Sequence, residues 1–134
     1  MPGLERISIT IEPELLAQLD AIVAASGHSN RSEAIRDLIR GRLVELTAPE
    51  EPVTGVVAIT YDHARRELSD RLVHVAHHHH GLVLATTHVH LDAHHCLEMS
   101  ALAGPRSELE HYAHHLIGLK GVDHGAFMVT RPVP

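Results

Sequence analysis

The sequence is poor in cysteine and in aromatic residues, with one Cys, no Trp, two Tyr and one Phe among 134 residues. The single cysteine, Cys96, excludes an intrachain disulfide framework, and the shortage of aromatic rings requires a core built mainly from aliphatic side chains. No apolar run approaches the roughly 20 residues of a membrane span, and the amino terminus lacks the features of a secretory signal. We therefore expect a cytoplasmic protein, outside the membrane, with one domain or two small ones.

Histidine, by contrast, is abundant: the chain has 15, and His28 is the only one before His63. Imidazole binds metal ions and changes its charge near neutral pH, so the second half of the chain is expected to use one of these properties. The longest run, His77 to His80, is internal. Most of its rings suit a solvated helix end, where they face the negative pole of the helix.

A break in composition divides the chain, because Pro49, Pro52 and the two glutamates between them interrupt every periodic pattern. It predicts a linker over residues 47–53, between an amino-terminal domain, residues 1–46, and a carboxy-terminal domain, residues 54–134. Acidic residues outnumber basic ones in both parts. This acidic balance counts against strong nonspecific affinity for DNA.

The first part has three predicted elements. Residues 6–11 alternate strictly between polar and apolar side chains, which predicts one short half-buried strand. An apolar stripe of helical spacing then begins near Pro13 and stops at Gly27, and a second stripe follows a capping residue, Asn30, and runs to about Leu46. The expected order is strand, helix, helix.

The lone strand has no sequence-adjacent partner for its backbone groups or its isoleucine face. Antiparallel pairing with the same strand of a second chain would make a two-stranded ribbon that displays Arg6, Ser8 and Thr10. Such a ribbon fits the DNA major groove, where these side chains can read base edges. The start of the second helix would offer N–H groups to a phosphate; the residues there are Asn30, Arg31 and Ser32. A plain dimer through strand edges fits the same pattern.

The second part has six predicted elements in the order βαββαβ, which suits a ferredoxin-like sheet with helices on one face. The strands are expected at residues 54–61, 82–90, 95–104 and 122–130, and the helices at about 64–76 and 105–119. The fold class expected for the whole chain is α+β.

The central hairpin of this sheet carries the strongest chemical signal. His88 and His90 are two apart on a strand, so both point to one face. A turn centred on Ala93 would set His90 opposite Cys96 and His88 opposite Glu98. Such His-x-His pairs also occur in ordinary cores and surfaces, but the added cysteine favours a metal site.

A closed metal site needs a fourth donor, and the histidine run at residues 77–80 is an obvious source. Imidazoles and a thiolate suit Zn(II) in a tetrahedral site and Ni(II) or Cu(II) in a planar one. The ligand set alone does not decide between these metals.

Two segments carry a resemblance to a known family. Residues 6–10 (Arg-Ile-Ser-Ile-Thr) followed by residues 30–37 (Asn-Arg-Ser-Glu-Ala-Ile-Arg-Asp) resemble a ribbon-helix-helix DNA-binding domain. With the second part added, the chain resembles nickel-responsive repressors of the NikR type from about Arg6 to Thr130. The resemblance implies a ribbon-helix-helix (βαα) domain joined to a ferredoxin-like, or ACT-like, βαββαβ domain.

The resemblance also implies roles for particular residues. His77 would ligate metal held by the neighbouring subunit, completing a planar four-coordinate Ni(II) site, one per subunit; the ligands would be His77, His88, His90 and Cys96. Glu33 and Asp37 match acidic residues for a second cation such as K⁺, and Arg65 and Arg66 match a basic pair that contacts the DNA backbone. Solvated helix charges fit these four residues equally well.

The function expected from this resemblance is transcriptional repression by a homotetramer, a dimer of dimers, that binds double-stranded operator DNA with Ni(II) as corepressor and controls nickel uptake. We do not expect an enzyme, because four donors would close the coordination sphere. A metal storage or chaperone protein, and a ribbon-helix-helix regulator responding to Zn, Cu or Co, remain alternatives. No role follows for the other crowded histidines, which are His78, His79, His80, His94 and His95.

Overall fold

The computed structural model describes residues 3–130. Within this range the chain forms four helices and four strands, in two compact units that divide between Leu43 and Val44. None of these helices combines the length and the apolar character that crossing a bilayer requires.

The first unit contains the two predicted helices, α1 (Pro13–Ala25) and α2 (Arg31–Glu45). Pro13 occupies the first turn of α1, where its missing N–H costs nothing, and Gly27 follows the helix with a positive φ of 69°. The Asn30 side-chain oxygen accepts a hydrogen bond from the Glu33 N–H at 2.9 Å, which caps α2. Both helices lie within about two residues of their predicted ends.

The predicted strand at residues 6–11 is not formed in the single chain. Residues 3–12 belong to neither a helix nor a strand, and Ile7 and Ile9 are 74% and 61% exposed. A strand needs a neighbour for its hydrogen bonds and its apolar face, and a single chain provides none for this segment. Pairing with a second copy stays a prediction.

The second unit has the predicted order βαββαβ. Its elements are β1 (Pro52–Asp62), α3 (Arg66–His78), β2 (Val83–His90), β3 (His95–Pro105), α4 (Arg106–Ile117) and β4 (Val122–Thr130). The strands form an antiparallel sheet in the order β2-β3-β1-β4. The hairpin of β2 and β3 thus lies at one side of the sheet, with β2 as an edge strand.

Two boundaries differ from the sequence prediction. β1 begins at Pro52, inside the segment expected to be a linker, since a proline is tolerated as the first residue of a strand. α3 begins two residues late because the Asp62 carboxylate accepts a hydrogen bond from the Ala64 N–H at 2.9 Å, which holds a turn before the helix.

The core lies between the sheet and the helices α3 and α4. It is mainly aliphatic, as the composition predicts, and its most deeply buried members include Ile59, Leu102 and Leu109. The two tyrosines, Tyr61 and Tyr112, are buried as well. Burial raises the pKa of Tyr112 to about 12, so this phenol stays neutral.

Arg106, the first residue of α4, joins this helix to the beginning of the second unit. Its Nη1 donates to the carbonyl oxygens of Val44, Glu45 and Thr47 at 2.8, 3.0 and 3.1 Å, and its Nε donates to Glu110 at 2.9 Å. Carbonyl groups at residues 44–47 thereby gain a charged donor.

Candidate metal centre

The hairpin of β2 and β3 places three of the four predicted donors in one patch. His90 pairs with Cys96 and His88 pairs with Glu98, which is the register predicted from the sequence. This part of the prediction is confirmed. His88 and His90 share one face of β2, so two imidazoles and a thiol lie on neighbouring strands within reach of each other.

The turn between β2 and β3 is stabilised by the side chain of one of its own residues, Asp92. The Asp92 carboxylate accepts hydrogen bonds from the N–H groups of His94 and His95, both at 2.8 Å, and from the His95 ring nitrogen Nδ1. These donors hold the pKa of Asp92 well below its usual range, and the Asp92 carboxylate in turn raises the pKa of His95. One carboxylate therefore fixes the turn that sets His90 against Cys96.

Cys96 is almost fully buried, with 2% of its surface exposed, and its Sγ lies 3.9 Å from the Nδ1 of His88. On the other side of β3 its partner is Tyr61 of β1. Burial, helped by the nearby negative charges of Glu98 and Cys96, raises the pKa of this tyrosine. The Tyr61 phenol therefore stays protonated.

Glu98 holds the opposite nitrogen of His88, with its Oε1 3.4 Å from the ring Nε2. Burial raises the pKa of Glu98, and the positive charge available on His88 partly offsets this. A proton on Nε2, directed to Glu98, leaves the Nδ1 lone pair of His88 on the side of the Cys96 sulfur. The carboxylate thus favours one orientation of the His88 ring.

His90 has a neighbour that the sequence analysis did not identify. The ring of His63, just after the end of β1, packs edge-on against the ring of His90 with centroids 5.1 Å apart. The two residues are far apart in sequence and meet because β1 pairs with β3 beside the hairpin. Only the strand order of the whole sheet could have revealed this contact.

The fourth predicted ligand, His77, lies elsewhere in the chain. It is exposed in the last turn of α3. The centroid of its ring lies 6.4 Å from that of His78 and 6.1 Å from that of His80. Between residues 3 and 130 no group of three or more His, Cys, Asp or Glu side chains is arranged to hold a metal ion. The donors of the hairpin fit a borderline divalent ion in type, but one chain leaves the set incomplete.

The predicted DNA-contacting residues fall into three places. Arg6, Ser8 and Thr10 are exposed in the segment before α1, and Asn30 caps α2. Arg31 is engaged within the chain, since its Nε and Nη2 donate to the two Asp20 oxygens at 2.8 and 3.0 Å. The structure therefore gives Arg31 a carboxylate partner that a DNA phosphate would have to replace.

The basic pair at the start of α3 is part of a larger cationic patch. Arg65 and Arg66 line a groove of about 430 Å³ together with Arg71 and Lys120. Sequence reasoning identified the first two but not the last two, because Lys120 reaches the groove only through the fold.

Glu33 and Asp37, predicted to hold a second cation, have partners within their own unit. Ser29 and Arg36 donate to the Glu33 carboxylate at 3.2 and 3.5 Å, and the His28 Nε2 lies 3.4 Å from Asp37. The two carboxylates lie one turn apart on α2.

Comparison with known families agrees with both parts of the chain. Residues 5–46 match the model described as "Ribbon-helix-helix protein, copG family", and residues 54–130 match the "NikR C terminal nickel binding domain". The resemblance stated from the sequence and the expected fold class are thereby confirmed.

Similar whole proteins carry the printed name "Putative nickel-responsive regulator". One from Bradyrhizobium diazoefficiens is 50% identical over 125 residues, which cover 91% of this chain and 84% of that protein. Another from Trichlorobacter lovleyi is 43% identical over 136 residues, which cover 100% of this chain and 98% of that protein. A third, from Geobacter sulfurreducens, is 46% identical over 127 residues, which cover 93% of this chain and 91% of that protein.

Proposed function

Because this chain belongs to the NikR family of nickel-responsive regulators, we propose that it represses transcription with Ni(II) as corepressor, at genes for nickel uptake. Residues 1–46 bind operator DNA, residues 47–53, of which the last two begin β1, connect the two domains, and residues 54–134 bind nickel and assemble the tetramer. The observation that carries this proposal is the register of the β2–β3 hairpin, which sets His90 against Cys96.

The proposed nickel site joins two subunits. Its ligands are His88, His90 and Cys96 of one chain and the partner subunit's His77, in a planar four-coordinate arrangement with one ion per subunit. What supports this is that the hairpin donors lie together while His77 is exposed on a helix end. When bound, nickel supplies a cross-link between subunits.

The proposed DNA-binding dimer buries apolar surface that the first unit leaves open. Exposed apolar side chains in this unit include Ile7, Ile9, Leu15, Leu38 and Ile39. So many exposed aliphatic groups in so small a unit favour a protein partner, and a second copy also supplies the missing strand. Two copies of residues 6–11 then form the ribbon that enters the major groove.

The ribbon reads bases through Arg6, Ser8 and Thr10, while the helix start at residues 30–32 and the pair Arg65 and Arg66 hold phosphates. The groove shared with Arg71 and Lys120 supports the second of these roles, because its four cations outweigh the one carboxylate in its lining, Glu67, and attract an anionic backbone. This local charge offsets the acidic balance of the chain.

Coupling between metal and DNA follows from assembly. A cross-link between subunits favours tetramers in which two ribbons can dock on one operator, so nickel shifts the population towards the DNA-binding arrangement. Glu33 and Asp37 add a second cation such as K⁺. Their two carboxylates lie one turn apart on α2, which supports this role, although the cation would have to replace Arg36 and His28 as their partners.

The proposal is tested by a gel shift of the full chain against DNA selected from a random pool, with Ni(II) or with a chelator. We expect retardation of one specific sequence only when Ni(II) is present. Metal binding without any DNA retardation would favour a storage protein. Retardation that ignores the chelator would favour a regulator without metal control, and stronger retardation with Zn(II), Cu(II) or Co(II) would replace nickel as the effector.

Replacing His77 tests the shared site. We expect His77→Ala to weaken nickel binding by about 10- to 100-fold or more, because outer partners of a metal site alone are worth that much and a ligand is worth more. Isolated dimers should stay folded. Isothermal titration measures the affinity, and size-exclusion chromatography follows assembly.

The control for this substitution is His80→Ala, which removes an imidazole from the same run but not the proposed ligand. It should bind nickel like the unchanged protein. Equal affinity in the His77→Ala protein would transfer the fourth ligand to another histidine.

A further inference from the structure

The exposed face of α3 carries a pair of histidines that the proposed nickel site does not use. His74 and His78 are four residues apart, and their Nε2 atoms lie 3.1 Å from each other. The ring centroids are 4.4 Å apart and the planes are nearly perpendicular, at 82°. Two ring nitrogens of exposed side chains thus converge on one point of the helix surface.

This convergence rests on a rigid helix. The opposite face of α3 is anchored in the core by Leu68, Leu72 and Val75, all of which are buried. Anchoring fixes which side of α3 faces outward and keeps residues 74 and 78 one turn apart. The pair is therefore presented by the fold itself, whatever the state of the hairpin.

Helical spacing alone does not produce such convergence. His111 and His115 have the same spacing on α4, yet their ring centroids are 6.3 Å apart and their planes are tilted by 53°. The side-chain rotamers on α3 therefore distinguish the His74–His78 pair from an ordinary pair of exposed histidines.

The distance suits a metal chelate. Two imidazole nitrogens on one tetrahedral Zn(II) are about 3.3 Å apart, because each Zn–N bond is about 2.0–2.1 Å. The observed 3.1 Å between the Nε2 atoms lies close to this value. A short rotation of exposed rings, with both protons on Nδ1, would direct both lone pairs at one ion.

We propose that His74 and His78 form a second metal site, separate from the hairpin, which binds Zn(II) or a similar borderline divalent cation through two imidazoles and solvent. Imidazole without thiolate suits this class of ion. Two protein ligands make the site weaker than the hairpin site and fast to exchange. It also gives His78, whose role the sequence left open, a definite partner.

The test is a zinc titration of the nickel-loaded full chain by equilibrium dialysis, with crystals at the zinc absorption edge. We expect an anomalous peak about 2 Å from both Nε2 atoms. The His74→Ala protein should lose this peak and bind one zinc fewer per chain at the same zinc concentration. Any zinc that still binds at this position should do so with an affinity lower by about tenfold or more. Alanine favours helix, so α3 should persist, which circular dichroism checks.

The matched control is His114→Ala, which removes one exposed imidazole from α4, where its ring packs against Phe127. It should leave the peak and the zinc count unchanged. A peak that survives His74→Ala, or a zinc count that His74→Ala leaves unchanged, would overturn the proposal.

A second background separates this proposal from the nickel proposal. In Cys96→Ala protein the hairpin lacks its thiolate, whereas the His74–His78 pair is intact. We expect the His74-dependent zinc to remain in that background. Its loss would mean that the zinc belongs to the hairpin, which would overturn the second site while leaving the hairpin as a metal centre.

Discussion

Cys96→Ala is expected to abolish high-affinity nickel binding. The substitution removes the chain's one thiol and leaves two imidazoles on the hairpin, with no sulfur beside the Nδ1 of His88. We expect the affinity to fall by more than about 100-fold, beyond what loss of an outer partner costs. Isothermal titration measures this loss, and absorption spectroscopy follows the thiolate-to-nickel band, which should disappear.

Cys96→Ser serves as the companion variant, because it keeps the volume of this buried side chain while replacing the thiol. It should lose nickel binding to a similar extent, and its metal-free form should unfold at a somewhat lower temperature, because a hydroxyl is costlier to bury in this core than a thiol. Stoichiometric tight binding in either variant would contradict a sulfur ligand and remove the hairpin from the proposed sensor.

Arg6→Ala is expected to weaken recognition of the operator by about 1–3 kcal/mol if the guanidinium reads a base edge. Arg6 is exposed in the segment before α1, so its loss should not disturb the packing of either unit. Fluorescence anisotropy of the nickel-loaded protein on operator and on scrambled DNA, at several salt concentrations, measures the effect.

The two kinds of DNA separate base reading from phosphate binding. A loss on the operator alone indicates a base contact, whereas an equal loss on both, with a salt slope smaller by about one, indicates a phosphate contact. Arg40→Ala, which removes the same charge from within α2, is the control and should have little effect. Unchanged binding to both DNAs would remove Arg6 from the interface.

Local patterns predicted the hairpin correctly. The register between His90 and Cys96 depends only on alternation along two strands and on a short turn between them. Both determinants lie within a few residues, so the sequence alone was sufficient. The helix ends near Pro13 and Asn30 were predictable for the same reason, since the capping residues are adjacent to the helices.

Contacts that depend on distant residues were not predictable. His63 meets His90 only because β1 pairs with β3, and Lys120 joins the arginines at the start of α3 only in the folded unit. The strand predicted at residues 6–11 is a different case: its alternation is that of a strand, but one chain provides no neighbour for it, so a single chain does not test the prediction. The proposed ligand role of His77 likewise requires a second subunit.

The turn held by Asp92 affects the entropy cost of binding a metal ion at the hairpin. Because Asp92 already binds the N–H groups of His94 and His95, the hairpin is ordered before any ion arrives. Little conformational entropy is then lost in gathering His88, His90 and Cys96. In contrast to zinc fingers, whose ion drives folding, this preorganised hairpin would leave most of the binding energy for the proposed cross-link between chains.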